Sequence, residues 1–419
     1  MKKNSELEVM LLERERRDKF ELDILNLYEN STLITIKSNY PGKNKNTFES
    51  HYVCVHFFKK CKSFFPPLKV FSRLSVEGLL LFILTTENPN TVKQKTILLE
   101  DTEMLGRFID IDVRTKDIYF SRADFNIPPR KCYICDKNAV ICVRNRTHQT
   151  ESLCNFFYEH VKMFLFFNCT IIERLSNIVF IAMLEELCRE YSFGCVNANT
   201  SGSHTDMDFF LMLEGIEVVS ESVKALNEKT TKSFFSLREH GKIFEKKLFE
   251  KCNGINTYKG AHFLILILSA AVLNCTHFKN LPQFITKFSQ PCKLDFNNAN
   301  LNKPVSSSEY FNHFALGIRN EALTGFKNHF DFFLPLLEKG ASDLELTTKI
   351  LEYTYDTTTI KRGNLFELKK IQSMAKRATS KDSQKKIHEY CIQKKLSTGG
   401  VADNFIITKM LFFIKNFLF

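Results

Sequence analysis

The spacing of apolar residues predicts a mixed α/β region in the first third of the chain. Leu7, Met10 and Leu11 recur at intervals of three and four residues, so Ser5–Leu27 is predicted to be a helix, and a second helix is predicted at Ser50–Lys62. The predicted strands are Leu33–Ile36, Leu68–Leu74 and Leu80–Thr85, followed by Lys95–Glu100. Strands are therefore expected to predominate in the second half of this region.

From about Thr150 the apolar residues repeat with the period of a helix, and strand patterns almost disappear. The predicted helices are Leu153–Cys169, Ile171–Glu190, Asp206–Leu226, Lys232–Phe249, Gly260–Leu273, Tyr310–Asn328, Leu344–Thr354, Asp382–Lys394 and Val401–Phe419. Proline and glycine are scarce and lie between these segments. The pattern predicts two domains, residues 1–165 and 166–419, with an all-α helical bundle as the second and a short helical joint between them.

Composition is consistent with a soluble protein that has anionic partners. The 419 residues are 44% hydrophobic and 25% charged, and the net charge is +11. Nucleotides, nucleic acid or an acidic carrier protein would all suit that charge. The N-terminus lacks an apolar signal segment, and the longest apolar runs fall short of the about 20 residues that span a bilayer. Thirteen cysteines then suggest reduced thiols in the cytosol, so we expect a cytoplasmic protein without membrane contact.

Two acidic residues lie on a predicted strand, Phe108–Val113. Because side chains alternate along a strand, Asp110 and Asp112 should share one face, about 6–7 Å apart. Two carboxylates on one face repel each other unless a cation lies between them, and Mg²⁺ binds one or two carboxylates together with substrate phosphates. The alternative is a strand whose solvent face carries two acids.

A cysteine cluster follows this strand. Cys132, Cys135, Cys142 and His148 have the number and spacing of ligands found in small structural zinc sites. The alternative is a compact hairpin with buried thiols, in which His148 binds a phosphate or a carrier protein.

The first 165 residues resemble the citrate lyase holo-acyl-carrier-protein synthases, also called apo-citrate lyase phosphoribosyl-dephospho-CoA transferases. The matching motifs are Glu13–Arg17, Pro41–Lys45, Leu105–Arg107, Asp110–Val113, Pro128–Arg130 and Thr147–Gln149. The resemblance implies a nucleotidyltransferase-like domain that transfers phosphoribosyl-dephospho-CoA to a serine of the citrate lyase acyl carrier protein (gamma subunit). In that reaction Asp110 and Asp112 would hold Mg²⁺, and Arg107, Arg130 and Lys131 would bind phosphates.

In the helical part, polar motifs lie at the ends of apolar helices. Ser203 is predicted to be an N-cap, which would place His204 and Asp208 four residues apart on one helix face. Gly399 and Gly400 form a turn before a helix N-terminus, a geometry that suits an anion. Each motif alone is also compatible with a capped helix end.

In their order, these motifs resemble the triphosphoribosyl-dephospho-CoA synthase family over residues 175–419. The residues that remain are His204, Asp206, Asp208, Asn256, Lys259, Arg319, Glu321, Asp356, Arg362 and Asp403. The sequence departs from the family motifs at Tyr191–Asn197, which loses a lysine and a carboxylate, and at Tyr258, Asn320 and Thr358. The resemblance also implies natural fusions of the two families.

This second resemblance implies a reaction of ATP with 3′-dephospho-CoA that releases adenine and keeps the triphosphate. Glu321 is the expected base for the attacking hydroxyl. Asp206 and Asp208, with Asp403 or Asp356, are expected around Mg²⁺. Phosphate binding is expected from Lys259, Arg319 and Arg362, and further nucleotide contacts from His204, Asn256, Gly399 and Gly400.

Three hypotheses follow for the whole chain. The first is a bifunctional enzyme that makes and attaches the citrate lyase prosthetic group. The second keeps the N-terminal transferase but makes the C-terminal half a degenerate nucleotide-binding module, because the motif at Tyr191–Asn197 has lost its lysine. The third is a zinc-stabilised nucleic-acid-binding protein. We expect no nucleic acid partner, because the chain has no basic stripe with interleaved aromatic residues.

Overall fold

The computed structural model describes residues 6–294 and 317–419. The contacts within the chain divide it into two units, Met1–Phe167 and Asn168–Phe419. Each unit is described separately below.

The first unit is built on a five-stranded antiparallel sheet. Its strands are β1 (Thr32–Ser38), β2 (Lys69–Ser75), β3 (Gly78–Thr85), β4 (Ile109–Arg114) and β5 (Tyr119–Phe120), in the order β2-β3-β1-β4-β5. Every residue of β3 is buried, as its unbroken apolar sequence requires. In the pairing of β1 with β4, Lys37 lies opposite Asp110 and Thr35 opposite Asp112.

The α-helices in the described part of this unit are α1 (Glu6–Leu27), α2 (Phe48–Phe64), α3 (Pro89–Thr102), α4 (Ala139–Arg144) and α5 (Thr150–Phe166). Helices α1, α2 and α3 contact the sheet, and α5 contacts α2. Helix α1 packs Ile24 and Leu25 against Leu33 and Phe82. Because side chains alternate along β1, Lys37 lies on the same face as Leu33. The paired carboxylates of β4 are therefore on the face of the sheet that α1 partly covers.

Two of the differences from the sequence prediction in this unit have an identifiable cause. The segment Lys95–Glu100 is helical and lies inside α3, because the Asn88 side chain caps that helix and Pro89 occupies its first turn. The strand predicted to begin at Phe108 begins at Ile109, because Phe108 closes a 3₁₀ turn.

The regular elements in the described part of the second unit are helical. They are α6 (Ile171–Leu187), α7 (Phe209–Lys224), α8 (Glu228–Lys232), α9 (Phe234–Lys251), α10 (Lys259–Asn274), α11 (Leu281–Phe288), α12 (Ile318–Leu323), α13 (Leu334–Glu338), α14 (Asp343–Tyr353), α15 (Thr357–Arg362), α16 (Leu365–Lys376), α17 (Lys381–Gln393) and α18 (Gly399–Phe417). Helices α6, α10 and α18 are largely buried and form the centre of the unit. Within the described ranges, no helix has both the length and the apolar character needed to cross a membrane.

The predicted helix Tyr310–Asn328 is not continuous. Residues 310–316 lie outside the described part of the chain, and the rest contains α12, which ends at Leu323, and a break before a π-helical turn that begins at His329, just past the predicted end. The break falls at Gly325 and Phe326, which both have positive φ angles (68° and 57°) that no right-handed helix contains. Helices α8, α11, α13, α15 and α16 were not predicted from the sequence.

Candidate active sites in the two units

In the first unit, Asp110 and Asp112 share one face of β4, and the cation between them is Lys37. Its Nζ lies 3.0 Å from Asp110 Oδ2 and also forms an ion pair and hydrogen bond with Asp112 Oδ2. Burial alone would lower the pKa of Lys37, but the carboxylates of Asp112 and Asp110 outweigh it and raise that pKa above its usual value. Lys37 is therefore a permanent cation between the two acids.

A second cation reaches the same pair from the loop after β5. Arg130 donates to the carbonyl of Ile109, forms an ion pair with buried Glu100, and lies 3.7 Å from Asp110 Oδ1. Burial raises the pKa of Asp110, but Lys37 and Arg130 outweigh it, and the net pKa is lowered. Asp110 is therefore held ionised.

The other two predicted phosphate ligands lie elsewhere. Arg107 donates to the backbone carbonyls of Lys131 (2.7 Å) and Cys132, so its guanidinium binds the loop that carries the first cysteines of the cluster. Lys131 is exposed and lies 3.4 Å from Asp136. Of the three basic residues predicted from the sequence, the structure brings only Arg130 to the carboxylates.

Two lysines near the site were missed by the sequence analysis. Besides Lys37, Lys93 is buried beneath β4 and donates to the carbonyl of Ile111 (2.9 Å). The available signal for Lys37 was a single charged residue in the strand Thr32–Ser38, whose other residues are apolar or small and uncharged. The arginines of the Glu13–Arg17 motif are mainly paired within the unit; Arg17, for example, lies 3.0 Å from Glu77.

The structure brings the four residues of the cysteine cluster together. The ligand atoms of Cys132, Cys135, Cys142 and His148 all lie within 4.8 Å of one another. Cys135 Sγ is 3.5 Å from Cys142 Sγ and 3.3 Å from His148 Nε2.

In the second unit, the described residues enclose a cavity of about 1310 Å³. Nine of the residues predicted from the sequence line it: His204, Asn256, Lys259, Arg319, Glu321, Arg362, Gly399, Gly400 and Asp403. Three others, Asp206, Asp208 and Asp356, do not.

One wall of the cavity holds a hydrogen-bonded chain through His204. Arg362 donates to the carbonyl of Ser203 (2.8 Å) and to His204 Nδ1 (3.0 Å). Because a guanidinium only donates, Nδ1 is the accepting nitrogen, and the Nε2–H donates to Ser397 Oγ at 2.9 Å. Burial, aided by the Arg362 charge, lowers the pKa of His204, so this imidazole is neutral.

The prediction for the segment before α7 was wrong. Ser203 is not an N-cap and His204 is not helical; Asp208 is the N-cap of α7 and accepts a hydrogen bond from the Leu211 amide (2.8 Å). The reason is that the Ser203 carbonyl and His204 are held by Arg362, which keeps this stretch out of the helix. Asp206 is exposed, with one carboxylate oxygen 3.9 Å from His204 Nδ1.

Asp356 has a role in helix capping. Its carboxylate is fully buried and accepts from the amides of Thr359 (2.8 Å) and Val401 (3.0 Å), at the N-termini of α15 and α18. A Cβ on Gly400 would lie only 3.1 Å from Asp356 Oδ2, so a small residue is needed there. The anion that the structure places at the N-terminus of α18 is thus Asp356.

Glu321 extends into the cavity from α12. Its Oε2 has no hydrogen-bond partner among the described residues, and burial raises the pKa of this carboxyl to about 7. His329 Nε2 is 3.8 Å away but is bonded to Asn404 Oδ1 (2.9 Å). Because burial lowers the pKa of His329 to about 4, that imidazole is neutral at pH 7 and does not hold Glu321 ionised.

Further charged groups complete the lining. Lys259 forms an ion pair with Glu245, and the Arg319 guanidinium lies 6.0 Å from the centre of the Phe263 ring. The Asp403 carboxylate packs against Gly260, where a Cβ would clash with it. Burial, together with the nearby Asp356 and Glu186 carboxylates, raises the pKa of Asp403 well above its usual value.

The sequence analysis missed Glu186, Glu245 and Ser397 in this cavity. Glu186 is buried in α6 and forms an ion pair with Arg189. Two consecutive acids in an apolar helix, Glu185 and Glu186, were the signal that could have identified it. Tyr258, where the family motif has histidine, is buried with no hydrogen-bond partner for its hydroxyl among the described residues.

Two family models match the chain in tandem. The model described as apo-citrate lyase phosphoribosyl-dephospho-CoA transferase matches residues 5–164, and the model described as ATP:dephospho-CoA triphosphoribosyl transferase matches residues 172–417. The chain belongs to both families, joined in one polypeptide. We refer to Met1–Phe167 as the transferase unit and to Asn168–Phe419 as the synthase unit.

Relatives with the same arrangement match over nearly the whole chain. Protein CitXG of Leuconostoc mesenteroides subsp. cremoris is 27% identical over 453 aligned residues, covering 95% of each chain. Protein CitXG of Haemophilus influenzae is 25% identical over 97% of this chain and 96% of its own. A probable 2-(5''-triphosphoribosyl)-3'-dephosphocoenzyme-A synthase of Acinetobacter calcoaceticus is 28% identical over 58% of this chain and 90% of its own. The fusion expected from the sequence is confirmed.

Proposed function

We propose that this chain makes the prosthetic group of citrate lyase and attaches it to the enzyme's acyl carrier protein. The observation that carries the proposal is the tandem match of both families, each to one unit with its own polar site. The synthase unit would convert ATP and 3′-dephospho-CoA to 2′-(5″-triphosphoribosyl)-3′-dephospho-CoA and adenine. The transferase unit would pass phosphoribosyl-dephospho-CoA to a carrier serine and release diphosphate.

In the synthase unit, Glu321 is proposed as the base. It would take the proton of the 2′-hydroxyl of dephospho-CoA as that oxygen bonds to the anomeric carbon of the ATP ribose, while the bond to adenine breaks. A carboxyl whose pKa is about 7 suits this task near neutral pH, and its Oε2 is not used by another hydrogen bond in the described part of the chain.

The rest of the cavity is suited to two large polyanions. Its volume of about 1310 Å³ exceeds the about 300–1,000 Å³ of a pocket for one small molecule. Arg319, Lys259 and Arg362 would bind phosphates, and the neutral His204 would position the Arg362 side chain. If Mg²⁺ binds here, Asp403 is a suitable ligand because its carboxylate lines the cavity, whereas Asp356 is occupied by backbone amides and Glu186 by Arg189.

In the transferase unit, we propose that Asp110 and Asp112 carry the reaction. The two carboxylates share one partly exposed face, which fits Mg²⁺ with its preference for carboxylate and phosphate oxygens. Such an ion would neutralise charge on the departing diphosphate. Lys37 and Arg130 would bind phosphate oxygens as the carrier serine oxygen bonds to phosphorus and the bond to diphosphate breaks.

We further propose that the first unit is nucleotidyltransferase-like, with its reaction on the face of the sheet that carries Asp110 and Asp112. The net charge of +11 favours an acidic carrier protein and polyanionic nucleotides as partners. Nucleic acid is not a proposed partner, and the thirteen free thiols suit the reducing cytosol.

Separate assays of the two steps test the proposal. The synthase step is followed by adenine release from ATP that depends on dephospho-CoA, and the transferase step by carrier modification with preformed triphosphoribosyl-dephospho-CoA. Both activities are expected. Transfer without any adenine release would instead support a degenerate, nucleotide-binding synthase unit, the reading suggested by the changed motif at Tyr191–Asn197.

A further inference from the structure

The cysteine cluster of the transferase unit has the geometry of a closed metal site. In a tetrahedral zinc site with Zn–S bonds of about 2.3 Å and Zn–N bonds of about 2.0–2.1 Å, ligand atoms lie about 3.5–3.8 Å apart. The four atoms here are mutually within 4.8 Å, and two of the pairs are at 3.5 and 3.3 Å. A small contraction of the set would complete the tetrahedron.

The local backbone explains how the four ligands converge. An isolated bridge between Lys131 and Asn138 closes a tight loop that contains Cys132 and Cys135, and the Cys132 amide donates to the Lys137 carbonyl at 2.8 Å. Helix α4 follows at once and carries Cys142. The Thr147 amide donates to the Cys142 carbonyl (3.0 Å), which turns His148 back towards the loop.

We propose that Cys132, Cys135, Cys142 and His148 bind one Zn²⁺ ion. Three thiolates and one imidazole fill a tetrahedral shell, so no position remains for water or substrate, and the site is structural. Cys132 and Cys142 are buried, while Cys135 and His148 are partly exposed, which leaves a route for metal entry. Metal binding at this cluster goes beyond the proposed function.

The alternative of a disulfide is less consistent with the geometry. Cys135 Sγ and Cys142 Sγ are 3.5 Å apart, whereas a disulfide needs about 2.05 Å. A disulfide between these two would also not explain why the ligand atoms of Cys132 and His148 lie within 4.8 Å of both sulfurs.

The metal would fix the loop that supplies Arg130. The carbonyl of Cys132 accepts from Arg107, and the Tyr133 hydroxyl donates to the Asn39 carbonyl (2.9 Å) at the end of β1. Arg130, two residues before the first ligand, lies beside Asp110. Zinc would therefore position a cation of the transferase site through the backbone.

Metal analysis of the full-length protein tests this proposal. The protein is produced in zinc-supplemented medium without a chelating tag and purified without chelators. We expect about one zinc per chain. Replacement by Co²⁺ should produce the thiolate charge-transfer band and the strong d–d bands of tetrahedral cobalt. Cys135→Ser and Cys142→Ser should each lower zinc content several-fold, whereas Cys275→Ser, in the synthase unit, should retain it.

A measurement on the native protein tests the proposal even if the cysteine variants fail to fold. Titration with a mercurial reagent should release the zinc as the three thiols of the cluster are modified, and modification of the other accessible thiols should release none. Zinc below about half an equivalent in the native protein would overturn the proposal, as would zinc that Cys135→Ser and Cys142→Ser retain in full. Because metal content is measured without an activity assay, this result is independent of the proposed function.

Discussion

Lys37 and Asp110 face each other across strands β1 and β4, with Nζ 3.0 Å from Oδ2. The same ammonium group bonds Asp112, so one lysine holds two carboxylates on one face of the sheet. This arrangement keeps Asp110 ionised. We expect a metal ion that arrives with the substrate to replace the lysine ammonium group between the two carboxylates.

Replacing either acid should stop transfer without affecting the synthase step. Losing one ligand of a metal-phosphate site costs several kcal/mol in the transition state, so Asp110→Asn and Asp112→Asn should each slow carrier modification on the order of 10³-fold. Adenine release should be unchanged. Asp117→Asn, at an exposed position in the turn after β4, is the matched control and should modify the carrier normally. Near-normal transfer by both folded variants would contradict the assignment.

Removing the central cation should change how transfer depends on pH. Lys37→Met removes the main charge that lowers the pKa of Asp110, so that pKa should rise and the acidic limb of the rate profile should move to higher pH. Lys37→Arg should largely restore the profile. In the wild type the lowered pKa of Asp110 stabilises the fold above the pKa of the unfolded chain, and this contribution is lost as pH falls through the folded pKa. An unmoved limb in Lys37→Met would contradict the pairing.

Glu321→Gln should abolish adenine release while making the protein more stable at neutral pH. Burial raises the pKa of this carboxyl to about 7 from 4.5, so the folded state binds more protons than the unfolded state, and stability falls as pH rises between those values. Glutamine removes that loss, which is at most about 3 kcal/mol. Denaturant unfolding at pH 5 and pH 8 measures the effect, with Glu338→Gln as the control. A variant that is less stable than wild type at pH 8 would argue against a buried, poorly solvated carboxyl.

Arg362→Met should slow the synthase step, because it removes the hydrogen bond from the guanidinium to His204. The guanidinium bonds both the Ser203 carbonyl and His204 Nδ1, so its loss removes a phosphate ligand and frees the neutral imidazole. We expect a loss of about 10–100-fold in kcat/KM for ATP, equivalent to about 1.4–2.8 kcal/mol. Lys369→Met, at an exposed position on α16, should have no effect. Equal activity of both variants would remove Arg362 from the site.

Asp356→Ala should destabilise the synthase unit. Loss of one helix cap costs about 0.5–2 kcal/mol, and this carboxylate caps two helices, so we expect about 1–4 kcal/mol in the free energy of unfolding. Asp356→Asn, which keeps one acceptor oxygen, should cost less. Unchanged denaturation midpoints for both variants would show that the capping bonds contribute little.

Local patterns in the sequence predicted the features that depend on nearby residues. Strand alternation placed Asp110 and Asp112 on one face, and spacing alone grouped Cys132 with Cys135 and Cys142. In the helical unit, periodicity located most helices because their apolar faces are continuous.

Features that depend on distant pairing could not be predicted in this way. Lys37 became the partner of Asp110 only through the strand order, in which β1 lies between β3 and β4. Asp356 was predicted to bind metal, but the Val401 amide that occupies it comes from another helix. Between Ser203 and Asp208, several residues could start α7, and the contact with Arg362 decides the outcome.

The mass of the carrier protein shows whether one chain both makes the prosthetic group and attaches it. The full-length protein is incubated with ATP, 3′-dephospho-CoA, Mg²⁺ and the apo citrate lyase acyl carrier protein, and the carrier is analysed by intact mass spectrometry. We expect a carrier heavier by one phosphoribosyl-dephospho-CoA group, with at least one adenine released for each carrier modified. A carrier of unchanged mass, with the same carrier modified normally by an active two-enzyme system, would contradict it.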